Sequence, residues 1–471
     1  MGREGTAARA EVPEPCAGPL QRAADVAVIG AGSSGLAVLR ALLRHGFSVV
    51  GFERGSDVGG QWRYNNDNGL SSAYQSLRTN VSRKRMEYPS WPMPDRYGDF
   101  PHHSQMAEYL SSYADNYGLR DYIRFRTTVT ALDSDSGNGW RLAAEDGSTG
   151  RFLTVVVAAG HFWSPRIPTF PGTFNGATSH SHHYRTAQPF AGRRVLVVGA
   201  GQSAAEIACE VSKVAARTCL SVRRFPHIIP RWIGGRPYDG PDVEPLNRMP
   251  WPLLNVLFGR AVARELGRLP VGWRAGAGRI LEGVPTISSD LLPAVRRAEI
   301  LVRPPIEFLA ADSVRFTDGS EEPFDCIIYA TGYDISLPFL PHQLAGAGGR
   351  ELPLYRHIVA PDCSGLLFAG FVDAPGGLLP VVETQGEWIA ELLNGSIRLP
   401  GRDRMWRAID RSERRTRNRF PADSPRDLRC DPHGYRRLLR SDLRKSAALP
   451  SRFFPPQPPW EWLREKRTRG Y

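Results

Sequence analysis

Two glycine-rich runs hold the residues whose types and spacing can do chemistry. Gly30-Ala31-Gly32-Ser33-Ser34-Gly35 follows the apolar run Asp25–Ile29 and precedes Leu36, Leu39 and Leu43 at helical spacing. An acid, Glu53, stands 23 residues past Gly30, at the end of a second apolar run from Phe47 to Phe52. Gly-x-Gly-x-x-Gly alone is a weak signal; between a predicted strand and helix, with an acid ending the next strand, it marks a dinucleotide-binding βαβ unit. Gly30 allows the tight turn, Gly32 lets a pyrophosphate approach the backbone, and Gly35 permits close helix–strand packing. The helix start at Ser33 and Ser34 offers free N–H groups to phosphate, and Glu53 can accept hydrogen bonds from a ribose diol.

The pattern returns about 170 residues later, where Val195–Val198 leads into Gly199-Ala200-Gly201-Gln202-Ser203-Ala204. Ala204 takes the third glycine place, an allowed variant, and a helix continues through Ile207 and Val211. The next strand, around Thr218–Val222, ends in Arg223-Arg224 and carries no acid. An acid there repels a 2′-phosphate, whereas arginine pairs with it. The first unit therefore suits the unphosphorylated ADP-ribosyl group of FAD. The second suits NADPH, and the sequence leaves open which arginine touches the phosphate. Two nucleotide sites in one chain point to a flavin-dependent oxidoreductase.

Composition removes other classes. The chain has 471 residues and a formal charge of +12, but 20 basic and 9 acidic groups fall after residue 400, so the preceding body is nearly neutral. The basic character belongs to the tail, and no RNP, zinc-finger or basic-helix signature accompanies it; a nucleic-acid partner is not expected. No stretch approaches 18 uncharged apolar residues. The six cysteines make no CxxC, which argues against a dithiol reductase, a disulfide framework and a zinc site, and favours a reducing, cytoplasmic compartment. His102-His103 has no ligand partners at metal spacing, so no metal is expected. Residues 1–23 read as a flexible leader without a secretory h-region.

The elements that must position these groups form an α/β chain with two Rossmann-like domains. Asp325–Ala330 is a further apolar run closing on Thr331-Gly332-Tyr333, and a buried strand near Leu366–Gly370 precedes a helix from about Glu383 to Leu393. Residues 236–285, rich in Pro, Gly, Trp and Arg, read poorly as regular structure, and the tail mixes short basic helices with the proline run at 455–459.

With those motifs placed, the chain resembles the flavin-containing monooxygenases, a group of class B flavoprotein monooxygenases, over roughly residues 24–400. Glu53 to Gly59-Gly60-Gln61-Trp62 resembles the family's GGxW stretch after the FAD-binding acid, and adds Gln61 and Trp62 to the cofactor contacts. Phe174-Asn175-Gly176 through His180 to Tyr184 fits the pattern FxGxxxHxxx(Y/F) directly before the second nucleotide unit. Baeyer–Villiger relatives carry Trp followed by Pro or Asp at that end, where this chain has Tyr184-Arg185. Ala330-Thr331-Gly332-Tyr333 resembles the family's ATGY linker. Thr79-Asn80-Val81-Ser82 resembles its TNxS segment, which makes Asn80 the candidate catalytic residue beside flavin and nicotinamide, with Thr79 and Val81 as neighbours. His180, by the same likeness, has a structural role in holding the linker between the domains. Asp431 and Tyr435 faintly resemble the family's C-terminal element, which makes part of the tail integral.

The resemblance implies a cycle in which NADPH reduces the flavin, O2 adds at C4a, and a soft nitrogen or sulfur nucleophile of a small molecule attacks the terminal oxygen of the hydroperoxyflavin. It also implies a discontinuous FAD domain of 24–190 and 322–410, an NADPH domain of 191–321 inserted between, and a basic extension over 411–471. The irregular 236–285 segment is read as a shaper of the substrate entrance, a structural insertion or an oligomer contact such as a homodimer face. Two alternatives stay open: carbonyl-directed oxygenation, as in the Baeyer–Villiger and plant auxin-forming branches, and a peroxide-producing NADPH oxidase or binding protein that uses its basic tail.

Overall fold

The architecture comes from a computed structural model, which describes residues 25–135, 139–240, 251–274, 279–280, 285–341, 352–373, 376–419, 428, 430 and 432–447. The expected leader, Asp431 and the proline run at 455–459 lie outside the described residues.

Ten strands build the frame, namely Val26–Ile29 (β1), Val49–Phe52 (β2), Ile123–Arg124 (β3), Thr154–Val157 (β4), Ala177–His180 (β5), Arg194–Val198 (β6), Arg217–Ser221 (β7), Leu301–Arg303 (β8), Cys326–Tyr329 (β9) and Leu366–Phe368 (β10). They form two parallel sheets, ordered β10-β4-β1-β2-β3 and β8-β7-β6-β9-β5. In β1, Val26 and Val28 join the core on one face while Ala27 and Ile29 join the core on the other. Val195 and Val197 divide from Leu196 and Val198 in the same way in β6. Burial on both faces is why these strands read as unbroken apolar runs instead of alternating ones.

The two halves repeat one plan. Helix Ser33–Arg44 (α1) links β1 to β2, and Gln202–Val211 (α3) links β6 to β7; His103–Asn116 (α2) lies between them in the chain. A three-stranded antiparallel meander accompanies each sheet, one spanning Val129–Phe152 and one spanning Ile306–Pro323. Their Leu142 and Phe316 enter the cores opposite the crossover helices. The chain crosses between the sheets twice, and the crossings pair with each other: Ser164–Pro165 runs antiparallel to Tyr333–Asp334, with Arg166 Nε donating to Asp334 Oδ1 at 2.8 Å.

Strand pairing draws the domains differently from the boundaries expected at 190/191 and 321/322. β5 and β9 pair along their whole length, Ala177 with Cys326 through His180 with Tyr329, so both belong to the second sheet. Strand patterning identifies a strand and is silent about which sheet receives it. The 236–285 segment also differs from its irregular reading, because Trp251–Leu266 is a helix (α4). Its only proline, Pro252, falls in the first turn, where the missing N–H is harmless, and Leu254 and Val262 are buried.

The tail docks on the first domain. Helix Leu379–Leu393 (α5) lies on α1, where Arg40 reaches Glu383 at 3.4 Å. Helix Arg402–Arg419 (α6) runs across residue 410, and Pro432–Ala447 (α7) packs on α5. Met405, Ile409, Tyr435 and Leu439 enter the core of the first domain. Gln385, fully buried, ties this together: its Oε1 accepts from the Gly370 N–H at 2.9 Å and its Nε2 donates to Tyr435 Oη at 2.8 Å. Tyr435 Oη in turn donates to the Arg356 carbonyl at 2.6 Å. Gln385→Leu strands the buried Gly370 N–H and takes from the Tyr435 hydroxyl one of its two hydrogen bonds, at about 1–3 kcal/mol. Urea unfolding should show that loss, and hydrogen exchange should show α7 released; an unchanged midpoint counts against the tie.

Candidate active site

The first glycine turn is built by close approach. Gly30 has φ +106°, and a Cβ there would meet the Ala158 carbonyl oxygen at 2.6 Å. At Gly35 a Cβ would stand 1.8 Å from the Gly30 carbonyl oxygen. Gly32 is the N-cap of α1 and supplies no capping side chain, so the N–H groups of Ser33, Ser34 and Gly35 have no acceptor of the usual kind. Glu53, 5% exposed, braces this turn from the end of β2. Its Oε2 accepts from the Ala31 N–H at 2.8 Å, and its Oε1 accepts from Gly55 N–H at 2.8 Å and Asn68 Nδ2 at 3.4 Å. A carboxylate offers about four acceptor positions, which leaves one on Oε2 for a sugar hydroxyl.

The second turn repeats this geometry. Gly199 has φ +132°, and a Cβ there would meet the Ala330 carbonyl oxygen at 2.4 Å. Gly201 caps α3 without a side-chain acceptor, Ser203 follows half-buried, and a Cβ on Gly201 would touch no atom within 4 Å. Ala204 is fully buried. Each turn is thus an uncapped helix start with positive partial charge, the arrangement that accepts a pyrophosphate. Arg223 and Arg224 follow β7 and are both exposed. Arg223 has no hydrogen bond or ion pair with any described residue, whereas Arg224 is already engaged.

Two amides of the nucleotide motifs bond other parts of the protein. Gln61 Nε2 donates to the carbonyls of Leu70 and Phe162 at 2.9 and 3.0 Å, while its Oε1 accepts from Ser72 N–H and Oγ. Gln202 Nε2 donates to Glu206 Oε1 at 2.7 Å and the Ile287 carbonyl at 2.8 Å, and its Oε1 accepts from Ile287 N–H at 3.0 Å. The Gln61 side chain is saturated, whereas Gln202 keeps one acceptor position on Oε1. Trp62 ends a one-turn 3-10 helix and leans on the first core, half-buried.

The segment from Ser71 to Ser82 crosses the interface between the domains. Tyr74 Oη bonds Glu206 on α3, Ser76 Oγ donates to Glu210 at 2.7 Å, and Arg185 Nη2 donates to the Ser71 carbonyl at 3.0 Å. Burial, with Glu206 beside it, holds the Tyr74 hydroxyl well above its ordinary range. At the end of the segment Thr79 is 1% exposed with an Oγ1 that bonds no described residue, Val81 is buried, and Asn80 is exposed. The Asn80 carboxamide bonds no described residue, while its backbone carbonyl accepts from Tyr238 Oη at 3.1 Å. Tyr238 and Asp239 come from the segment read as irregular, and the sequence signal that could find them is the Gly234-Gly235 turn just before it. His180 is 1% exposed, its Nδ1 accepts from the His182 N–H at 3.1 Å, and its ring lies 5.2 Å from that of Tyr333. Burial lowers its pKa to about 4, so it stays neutral at the end of β5, beside Tyr333 of the crossing strand. Among the described residues no helix is long and apolar enough to cross a membrane.

Comparison with known proteins agrees with this geometry. The FMO-like family, flavin-binding monooxygenase-like, matches residues 23–438. Flavin-containing monooxygenase 3 of Rattus norvegicus is 32% identical over 412 residues, covering 82% of this chain and 76% of that protein. Dimethylaniline monooxygenase [N-oxide-forming] 2 of Oryctolagus cuniculus is 32% identical, covering 83% and 78%. Among solved structures, S-allyl-L-cysteine S-oxygenase from Allium sativum superposes with a TM-score of 0.66 at 25% identity, covering 88% of each chain. Cyclohexanone monooxygenase from Rhodococcus sp. Phi1, bound to NADP+, gives 0.68 at 19% identity over 92% of this chain and 99% of that one, a likeness of fold. This chain is a member of the flavin-binding monooxygenase-like family.

Proposed function

We propose that this FAD- and NADPH-dependent monooxygenase places one oxygen atom of O2 on a soft nitrogen or sulfur nucleophile of a small molecule. The observation that carries the reading is the Asn80 carboxamide, exposed and unbonded, on a segment that both nucleotide domains grip. Reduced by NADPH, a bound flavin supplies the oxygen activation that no amino-acid side chain can. The protein's part is to bind, orient and donate. The α1 turn would hold the FAD pyrophosphate, with Glu53 Oε2 accepting from its ribose. The α3 turn would hold the NADPH pyrophosphate, with Arg223 on the 2′-phosphate. Asn80 Nδ2 would donate a hydrogen bond beside the reacting oxygen without releasing a proton, which stabilises charge and does not discharge it as peroxide. The substrate then needs no base, because an amine or thioether is already a nucleophile.

Nitrogen and sulfur are favoured over a carbonyl by relatives named for N-oxide formation and S-oxygenation. Incubation with NADPH, isotopically labelled dioxygen and a panel of a tertiary amine, a thioether and a cyclic ketone decides the matter by product mass. Labelled N-oxide or S-oxide is expected; a labelled ester from the ketone alone reverses the reading.

The phosphate assignment has its own test. Arg223→Ala should raise the KM for NADPH about ten- to hundredfold, the value of one or two charge-assisted bonds, and leave NADH nearly unchanged. Arg224→Ala should do less, since Arg224 is engaged elsewhere. Equal losses with both coenzymes would refute the role.

A further inference from the structure

The segment after β7 sends an arm back across the domain boundary. Trp232–Ile233 pairs antiparallel with Arg236–Pro237 around Gly234 and Gly235, both at positive φ (57° and 76°). This tight turn returns Tyr238 and Asp239 to the first domain. There Trp232 Nε1 donates to Asp99 Oδ2 at 3.2 Å, and its ring meets the edge of Phe100 with centroids 5.0 Å apart. At the other end Asp239 Oδ2 accepts from the Ser82 N–H at 2.9 Å, and the Asp239 carbonyl accepts from Arg85 Nε at 2.9 Å.

These contacts leave the Asn80 segment in an unusual position. Its own domain holds it through the Thr79 N–H, which donates to the Pro101 carbonyl at 2.9 Å. Beyond Asn80 the next two bonds, Tyr238 Oη to the Asn80 carbonyl and Ser82 N–H to Asp239, come from the other domain. Asp239 is also poorly chosen for stability alone. Its Oδ1 is buried with no partner among the described residues, and burial pushes the carboxyl up from its ordinary range. A half-satisfied buried carboxylate costs free energy, so the arm holds Ser82 at a cost to stability.

We propose that Asp239 is a positioning residue for oxygen transfer: by accepting the Ser82 amide it fixes the Asn80 carboxamide, so that the second nucleotide domain completes the oxygenation site of the first. The inference rests on the reading of Asn80 given above. Without the Ser82 bond, the stretch between the Thr79 N–H and the Arg83 N–H, which donates to the Asp99 carbonyl at 2.7 Å, is left on Asn80 with the Tyr238 contact alone, and the carboxamide loses its fixed place.

The test compares FAD-loaded Asp239→Ala, Asp239→Asn and Asn80→Ala with the parent. Hydrogen exchange of the oxidised holoenzyme, with no coenzyme or substrate added, reads the Ser82 amide directly. It should speed up about tenfold or more in Asp239→Ala and stay protected in Asp239→Asn. In turnover, Asp239→Ala should lower product formed per NADPH consumed at least about fivefold, with KM for NADPH and FAD content unchanged, and Asp239→Asn should restore the ratio. A merely structural residue would instead lower the unfolding midpoint and FAD content with the ratio intact, and that result overturns the proposal. Asn80→Ala separates the two ideas. If it loses coupling while Asp239→Ala keeps it, the positioning role fails alone. If both stay coupled, the reading of Asn80 fails and takes this inference with it.

Discussion

Replacing Gly35 with alanine should yield a protein with little or no bound FAD and a stability about 3 kcal/mol or more below the parent. The added Cβ would lie 1.8 Å from the Gly30 carbonyl oxygen and 2.8 Å from its carbonyl carbon. Both are backbone atoms, so no side chain can swing aside. Relief requires α1 to lift from the end of β1, and that moves the uncapped helix start away from the place where a pyrophosphate would sit. Gly201→Ala is the matched control in the second unit. Its backbone is extended, with φ −78° and ψ −174°, and a Cβ there meets nothing within 4 Å. The fold should therefore keep its stability to within about 0.5 kcal/mol. The methyl group would instead occupy the approach of the NADPH pyrophosphate and raise the KM for NADPH about tenfold or more. Flavin absorbance per polypeptide, urea midpoints and steady-state kinetics check both arms. A Gly35→Ala protein with full FAD and an unchanged midpoint would falsify the packing argument.

The glycines that open the two turns explain what the sequence made legible. A turn that needs positive φ beside a passing carbonyl admits only glycine, so Gly30 and Gly199 announced themselves, and continuous apolar strands on either side gave the two βαβ units. Ala204 in place of a third glycine was equally informative, since a fully buried alanine shows a helix start with slightly more room. Electrostatics alone singles out the Arg223-Arg224 pair after β7 and leaves the choice between them open. What the sequence withheld depends on distant partners. Gln61 and Gln202 sit in the right motifs, but the carbonyls and serine that bond them are brought in from other loops. β9 reads as a strand while β5 reads only as part of a motif, and the sheet that takes both is decided by pairing across about 150 residues. Tyr238 and Asp239 reach Asn80 and Ser82 from 158 and 157 residues away, out of a stretch whose Pro and Gly content masked both the hairpin and α4.

The basic tail shows the same division between local and distant information. Helical spacing puts arginines on α6 and α7, and their apolar partners decide where those arginines end up. Met405 and Ile409, then Tyr435 and Leu439, turn inward, which leaves Arg404, Arg407, Arg411, Arg437 and Arg440 exposed on the outside of docked helices. The positive charge is thus the outer surface of elements that complete the first domain, and Gln385 is the buried amide through which they are held.

Asn80→Ala should leave folding, FAD content and NADPH consumption close to the parent's and abolish most oxygenated product, with hydrogen peroxide appearing in its place. The stability half follows from the structure: the side chain is exposed and bonds no described residue, so its removal should cost no more than about 0.5 kcal/mol. The catalytic half follows from what an amide can do at that place. It donates a hydrogen bond, carries no charge and has no proton to lose, so it can stabilise a developing negative charge while withholding the acid that would release peroxide. Losing one such donor typically costs a hundredfold or more in rate, about 2.7–4 kcal/mol in the transition state. Asn80→Asp separates donation from size. It keeps the shape but presents an acceptor and a negative charge, and should be as defective as alanine; a residue that merely filled space would tolerate it. The decisive ratio is product to peroxide at matched NADPH consumption, and parental coupling in either variant would remove Asn80 from the chemistry.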